Sequence, residues 1–466
     1  MAPRLSVAAA LAVAALVVVS AQNAQREVAL VVTGGTVVTV DAAGRIVGNG
    51  AVAIDGADIV AVDSVEAIAR QFRGRETIDA SGQVVLPGLV NTHTHAAMVL
   101  YRGLADDLPL AEWLNNYIFP AEARTVSPEF VRAGTKLAAL EMIESGTTTF
   151  ADMYYFEEEV ARETRAAGLR GVLGQTIIQF PVADAKTPAD GLARAEEFIK
   201  AFRSDALITP AVAPHSMYTL DGPTLRAARE LSKRYNVPTL IHLAETTEDA
   251  RVAKERRAAS PVAYLESLGF LSSGVVAAHG VWVSDDDIKI LKTHDVGVAH
   301  NPESNMKLAS GTAPVPAYLR AGVSVGLGTD GAASNNDLDM FDAMRVAALL
   351  HKHTTVDPSV LTAKTVLELA TIRGAHALGM GGRIGSLEPG KRADLVTVSL
   401  ARARLTPVYD PISHLVYAAH GDDVQNSIVN GRVLMRNRKV LTMNVAAVLD
   451  DARSWGEKVK AAVKPR

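Results

Sequence analysis

Two histidines spaced two apart, His93 and His95, follow the apolar run Val84-Val85-Leu86-Pro87-Gly88-Leu89-Val90. Side chains two apart on an extended chain face the same way, so both imidazoles can converge on one point. A pair of neutral imidazoles aimed at one point is half of a zinc site. The other half can be sought on further strand ends. Thr239-Leu240-Ile241-His242 is an apolar stretch ending in His242, with Glu245 three residues on. Val275-Val276-Ala277-Ala278-His279 ends the same way, and Ser324-Val325-Gly326-Leu327-Gly328-Thr329 runs into Asp330. An ionised aspartate at the end of a buried strand is costly unless it is paired, hydrogen-bonded or bound to a cation. Singly, each of these residues reads as structural. Together they read as a metal-dependent hydrolytic centre.

The elements that must position them follow from the pattern around them. Candidate strands fall at 84–90, 147–151, 171–177, 207–213, 239–243, 275–279, 296–299 and 324–329. Stretches rich in Ala, Glu and Arg with helical spacing, such as 129–144 and 224–235, lie between most of them. Strands alternating with helices over this length predict a (β/α)8 TIM-type barrel, whose chemistry sits at the C-terminal strand ends. Residues 28–78 read instead as short antiparallel strands separated by turns. Strand patterning returns after Gly385, with a hairpin at Asn430-Gly431. The two flanks are expected to combine into one small β-sandwich domain. The expected division is 22–85 for the first part of the sandwich, 86–381 for the barrel, 382–445 for its second part, and 446–466 as a C-terminal helical tail.

Composition narrows the classes. At 466 residues the chain can bury a barrel and a satellite domain. Its 48% hydrophobic and 21% charged residues fit a folded globular protein. A net charge of −4, with no basic stripe, argues against a nucleic-acid polymer as partner. The absence of cysteine excludes a thiol nucleophile and thiolate ligands, leaving histidine and carboxylates to hold a metal.

The first residues read differently. One positive charge at Arg4 precedes the run Leu5–Val19, broken only by Ser6, and Val19-Ser20-Ala21 places small residues at a cleavage position. The run is short for a membrane span, which needs about 20 residues. Residues 1–21 are therefore expected to be an export signal cut after Ala21. That predicts a periplasmic or secreted protein with no stable membrane span after cleavage.

With these segments in place, the chain resembles the amidohydrolase superfamily, in the aminohydrolase branch that includes methylthioadenosine/S-adenosylhomocysteine deaminases and triazine hydrolases. The resemblance spans about Val28 to Leu441. It is carried most specifically by Leu86-Pro87-Gly88-Leu89-Val90-Asn91-Thr92-His93-Thr94-His95, His242-Leu243-Ala244-Glu245, His300-Asn301-Pro302-Glu303-Ser304-Asn305-Met306-Lys307-Leu308 and Gly328-Thr329-Asp330-Gly331-Ala332-Ala333-Ser334-Asn335-Asn336. It implies that His93, His95, His242 and Asp330 hold one divalent metal per subunit, usually zinc, with Fe2+ as another candidate. Two-metal members carry a lysine at the end of the fourth strand; here Ile208–Pro214 runs into His215, so a mononuclear site follows.

Zinc lowers the pKa of its bound water to about 7. With that water, Asp330 is placed to accept a proton, Glu245 to protonate a ring nitrogen, and His279 to orient the attack on the ring carbon. The product would be ammonia and a keto heterocycle. The resemblance further implies that Glu122 binds ribose hydroxyls, that His215 and Ser334 are pocket residues, and that Trp113 is an aromatic lid. Arginines that some members present after the third strand, to hold a homocysteine carboxylate, have no clear match: Gln175 stands near one such position, and Arg194 does not align cleanly with the other. The expectation is therefore a small-molecule deaminase of an adenine nucleoside or related aminated heterocycle, working as a homo-oligomer. A second reading keeps the metal site but displaces chloride or an alkylamine from a triazine-like ring, or opens a cyclic amide. A third, a non-enzymatic binding protein, predicts an eroded ligand set, whereas every ligand is present.

Overall fold

The computed structural model describes residues 25–463; the segment 1–21, read above as an export signal, lies outside them. Five strands come first: β1 (Arg26–Val38), β2 (Ile46–Asp55), β3 (Asp58–Ser64), β4 (Phe72–Asp79) and β5 (Gln83–Pro87). Eight follow in alternation with helices: β6 (Leu89–Thr94), β7 (Thr147–Tyr154), β8 (Arg170–Ile177), β9 (Ile208–Pro214), β10 (Thr239–Leu243), β11 (Val275–His279), β12 (Gly297–His300) and β13 (Ser324–Leu327). The chain closes with β14 (Leu395–Ser399), β15 (Val424–Val429), β16 (Arg432–Arg436), β17 (Lys439–Val440) and the helix Val445–Ala462.

Strands β6 to β13 form one parallel sheet in sequence order, the arrangement of a (β/α)8 barrel. Neighbours pair directly, as in His242↔Ala278 between β10 and β11. The first and last strands meet through two side-chain bonds and one backbone bond instead of a ladder. Thr92 Oγ1 donates to Leu327 O at 2.8 Å, Asn91 Nδ2 to Thr329 Oγ1 at 2.8 Å, and Asp330 N to His93 O at 3.0 Å. Residues beside His93 and Asp330 thus close the barrel. Among the described residues no helix is long and apolar enough to cross a membrane.

The flanks build a second sheet of nine strands, in which β14 to β17 join β1 to β3 through β5. Its β3 edge is bonded to the segment leading into β14: Ile59 N donates to Lys391 O at 2.9 Å and Ala393 N to Ala57 O at 2.8 Å. Leu30, Val32, Ile54, Ile59, Val85, Leu395 and Ile428 fill the space between them. The expected antiparallel pairing holds for β1 with β2 and β2 with β3. Strands β4 and β5 run parallel to β1, because the helix Val65–Gln71 carries the chain back across the sheet before β4 begins.

One further difference matters for the site. The run 84–90 is expected as a single strand, yet it is two strands in two different sheets. Pro87 ends β5, which pairs with β14. Gly88 then hands the chain over: its N–H donates to Asp394 O at 3.0 Å in the flanking sheet, and Leu89 N to Gly146 O at 3.0 Å in the barrel. Only glycine fits there, since a Cβ would lie 2.1 Å from the Thr148 side chain. His93 consequently stands inside β6 and His95 just beyond it.

Candidate active site

Sequence-distant side chains meet at the C-terminal mouth of the barrel. His93 Nε2 lies 3.4 Å from Asp330 Oδ1, His95 Nε2 lies 3.3 Å from the same oxygen, and His242 Nε2 is 3.3 Å from His95 Nε2. His279 Nε2 faces Glu245 Oε2 at 3.8 Å beside them. Backbone geometry at the strand ends is unusual. Ala244, His279 and Asp330 all have positive φ, at 51°, 74° and 62°. Non-glycine residues hold that conformation at a cost, and it concentrates at functional sites.

Hydrogen bonds behind the rings fix the tautomers. His95 Nδ1 is 2.7 Å from Met153 O and His242 Nδ1 is 2.9 Å from His215 O. A carbonyl only accepts, so both Nδ1 atoms carry the proton and both Nε2 atoms present lone pairs. Two lone pairs aimed at each other across 3.3 Å repel unless a cation lies between them. His93 Nε2 is buried without a hydrogen-bond partner beside them. These three spacings match those between ligands of a tetrahedral zinc at about 2.0–2.1 Å, roughly 3.3 Å apart, and His93 belongs both to a group with His95 and Asp330 and to one with His242 and His279. Three imidazole nitrogens and one carboxylate oxygen suit zinc or another borderline divalent ion.

Charge follows burial. Burial pulls His93 down to about 4, against the opposing pull of Asp330. Burial and then the neighbouring histidines bring His215 to about 3 and hold His242 well below the usual range. These imidazoles are neutral, as ligands must be. Burial alone would raise Asp330, but His93, His95 and His279 outweigh it and keep its carboxylate ionised. Ser304 Oγ and Ser334 Oγ donate to its Oδ2 at 2.6 and 2.9 Å, and Gly331 N donates to Oδ1 at 2.8 Å. Glu245 goes the other way: burial first, then Asp330 and Asp249, push it well above the carboxylate range. It is held as a carboxylic acid in the company of an ionised one, the separation of roles that acid–base chemistry uses.

The cleft over this cluster brings Trp113, Glu122, His215, Ser334, Glu245 and His279 to one space. Glu122 is only 8% exposed, so it is not the helix surface acid its position could also suggest. Tyr154 OH donates to its Oε1 at 2.7 Å, and burial raises it to about 7 despite that bond. Ser334 lines the cleft with its hydroxyl engaged on Asp330. Gln175 Nε2 and Arg194 Nε both bind Asp184 Oδ2, at 2.9 and 3.2 Å, and Arg194 also clamps Glu158 at 2.8 and 2.9 Å. A second cleft continues beyond Glu122 between Phe119, Tyr155, Phe180 and Val182.

Several site residues carry no signal in the sequence reading. Tyr154 ends β7 and reaches Glu122. Asn305 presents Oδ1 to His279 Nδ1 at 2.8 Å, which points the other nitrogen at Glu245. Ser304 supports Asp330. Asn305 and Ser304 lie within a segment quoted above for its resemblance, which was the available pointer.

Comparison with known proteins gives a consistent result. Residues 84–434 match the model described as the amidohydrolase family. The chain is 49% identical over 431 residues to the 5-methylthioadenosine/S-adenosylhomocysteine deaminase of Syntrophobacter fumaroxidans, covering 92% of this chain and 98% of that protein. It is 48% identical over 386 residues to the 5′-deoxyadenosine deaminase of Methanosarcina acetivorans, covering 82% and 88%. Among solved structures, a zinc-bound adenosine deaminase from Xanthomonas campestris superposes with a TM-score of 0.92 at 38% identity, covering 94% of this chain and 100% of that one. An atrazine chlorohydrolase from Arthrobacter aurescens shares the fold, with a TM-score of 0.85 at 24% identity and 92% and 100% coverage.

Proposed function

The chain belongs to the amidohydrolase family and is a hydrolase of non-peptide carbon–nitrogen bonds, and on that footing we propose that it deaminates an adenine nucleoside. His93, His95, His242 and Asp330 would hold one divalent cation, zinc by preference, which when bound supplies an activated water near neutral pH. No lysine stands at the end of β9, where Ala213-Pro214 runs into His215, so one ion suffices.

The chain's own residues do the rest. Glu245, kept protonated by burial, delivers its proton to a ring nitrogen and makes the adjacent carbon electrophilic. Asp330, kept ionised, takes the proton released as a water oxygen bonds to that carbon. His279 steers the water and the departing amine, its ring set by Asn305. The exocyclic C–N bond breaks as the amine takes up the proton Asp330 had accepted, ammonia leaves, and the added hydroxyl returns its remaining proton to Glu245 as the ring keeps the oxygen as a keto group. Glu122 accepts from ribose hydroxyls, and Trp113 closes over the base.

Within adenine nucleosides we place neutral 5′ substituents ahead of the homocysteine tail. Arg194 is engaged by Glu158 and Asp184, and the cleft beyond Glu122 is walled largely by Phe119, Tyr155, Phe180, Pro181 and Val182, with Lys186 as the cation in its lining. The sequence of residues 1–21 supports export; N-terminal sequencing of the exported protein should start at Gln22, and an intact Met1 would overturn that reading.

One observation carries the proposal: a four-ligand cluster shares its cleft with a protonated Glu245 and a buried Glu122. The test is ammonia release by zinc-loaded protein from methylthioadenosine, adenosine, S-adenosylhomocysteine, guanine, cytosine and an amino-triazine. Release from the nucleosides, with methylthioadenosine or adenosine above S-adenosylhomocysteine, is expected; silence on all nucleosides refutes the reading. Asp330→Asn should keep the fold and lose roughly a thousandfold or more in kcat. Near-normal turnover in that variant when replete with metal would sink the assigned role.

A further inference from the structure

Between His95 and Glu122 the chain makes a long excursion over the mouth of the cleft. The short helix Ala96–Tyr101 leaves the metal ligand, a loop follows, and residues 110–125 return as three abutting helical turns. This strap supplies Leu110, Trp113, Leu114, Ile118, Phe119 and Glu122 to the cleft. The opposite wall comes from the loops after β12 and β13, through Leu308, Gly331, Ala333 and Ser334.

Asp106 joins the strap to the opposite wall. Lys307 Nζ donates to Asp106 Oδ1 at 2.6 Å and also to the side-chain carbonyl of Asn336. Asn336 Nδ2 in turn donates to Asp106 Oδ2 at 3.2 Å, closing a three-membered ring of bonds. Each member comes from a different segment: the strap, the helix after β12, and the loop after β13. Lys307 is one residue from Leu308, and Asn336 is two from Ser334, so the ring borders the substrate space. The strap's near end is pinned separately, where Arg102 pairs with Glu141 and Glu141 Oε1 accepts from Leu338 N at 2.9 Å. Lys307 therefore ties the loop of the strap to the opposite wall, just ahead of the helical turns that carry Trp113 and Glu122.

We propose that Lys307 is a positioning residue: with Asp106 and Asn336 it clasps the strap closed, and so sets Trp113 and Glu122 against the bound substrate. The pair is part-exposed, with side-chain exposures of 20% for Lys307 and 36% for Asp106. That leaves the clasp strong enough to order the strap and accessible enough to open for substrate entry and product release, the usual function of a lid. It acts on binding and not on the reacting atoms, since Lys307 touches none of the residues that move protons.

The inference rests on the nucleoside reading only for its choice of substrate, so its test has one arm that needs none. Lys307→Met keeps the aliphatic stem and removes the donor. Amide hydrogen exchange over residues 102–118 should then rise about tenfold or more while the barrel strands stay unchanged. In the kinetic arm, KM for methylthioadenosine should rise about tenfold with kcat within about threefold, the signature of lost uniform binding. Lys307→Arg should restore most of both. Ionic strength should raise KM in the wild type and leave the Lys307→Met variant flat. If Lys307→Met fails to fold, Asp106→Asn carries the same measurements. Strap exchange within twofold of wild type would overturn the clasp even if no nucleoside is turned over. An unchanged KM alongside active deamination would overturn its role in positioning.

Discussion

Glu122 illustrates how burial changes what a carboxyl group can do. Its carboxyl has one donor, Tyr154, and burial lifts it to about 7, where a model glutamate would already be ionised. An ionised carboxylate accepts from both hydroxyls of a ribose, whereas a protonated one has lost part of that capacity. Substrate binding should therefore strengthen as pH rises through about 7. The expected outcome is a kcat/KM for methylthioadenosine that climbs across this window. In Glu122→Gln, which cannot ionise, that limb should vanish and KM should be raised about tenfold. The check is the difference between the two pH profiles; a limb that persists in the variant assigns the titration to another group. The sequence placed Glu122 beside an aromatic lid but gave no sign of its burial, because the tyrosine that covers it lies 32 residues away.

At the level of elements, strands ending in candidate site residues were legible and the supports behind them were not. His242, His279 and Asp330 follow directly on apolar runs, so chain-local patterning finds them. Asn305 sits on the six-residue helix Pro302–Lys307 and acts on His279 across the gap between two strand ends. No periodicity encodes such a contact. Its physical role is to hold the Nδ1 proton, so that Nε2 faces Glu245. Second-layer partners of this kind are typically worth 10–100-fold in activity. Asn305→Ala should lower kcat by about that much with little change in KM, whereas Asn305→Asp, which still accepts from Nδ1, should keep more of it. Equal losses in the two variants would point to packing in place of ring orientation. The same limit explains the run 84–90. Two adjoining apolar strands look like one until the space against Thr148 is known.

Across the whole molecule, the two sheets are bolted together at the end of the barrel away from the chemistry. Arg170 opens β8 and forms a bidentate pair with Asp394, next to β14, at 2.8 and 3.1 Å. Both side chains are almost fully buried, at 1% and 2% exposure. Asp394 also accepts from Asn430 N at 2.6 Å, and Arg170 Nη1 donates to Ala206 O at 3.2 Å. The flank-and-barrel architecture could be read from patterning, since short strands and turns bracket a stretch in which strands alternate with helices. This bolt could not, because its partners are 224 residues apart and neither carries a motif. Removing one partner of a buried, fully bonded pair strands the other charge in the interior and costs about 3–5 kcal/mol. Arg170→Met should therefore lower the unfolding midpoint substantially. Activity of the protein that remains folded should be near normal, because the strand starts lie a barrel's length from His93 and Asp330. Denaturant unfolding alongside kcat at low temperature separates the two effects. A loss of kcat without a loss of stability would mean that the flanking sheet shapes the active site directly, through the Gly88 handover into β6.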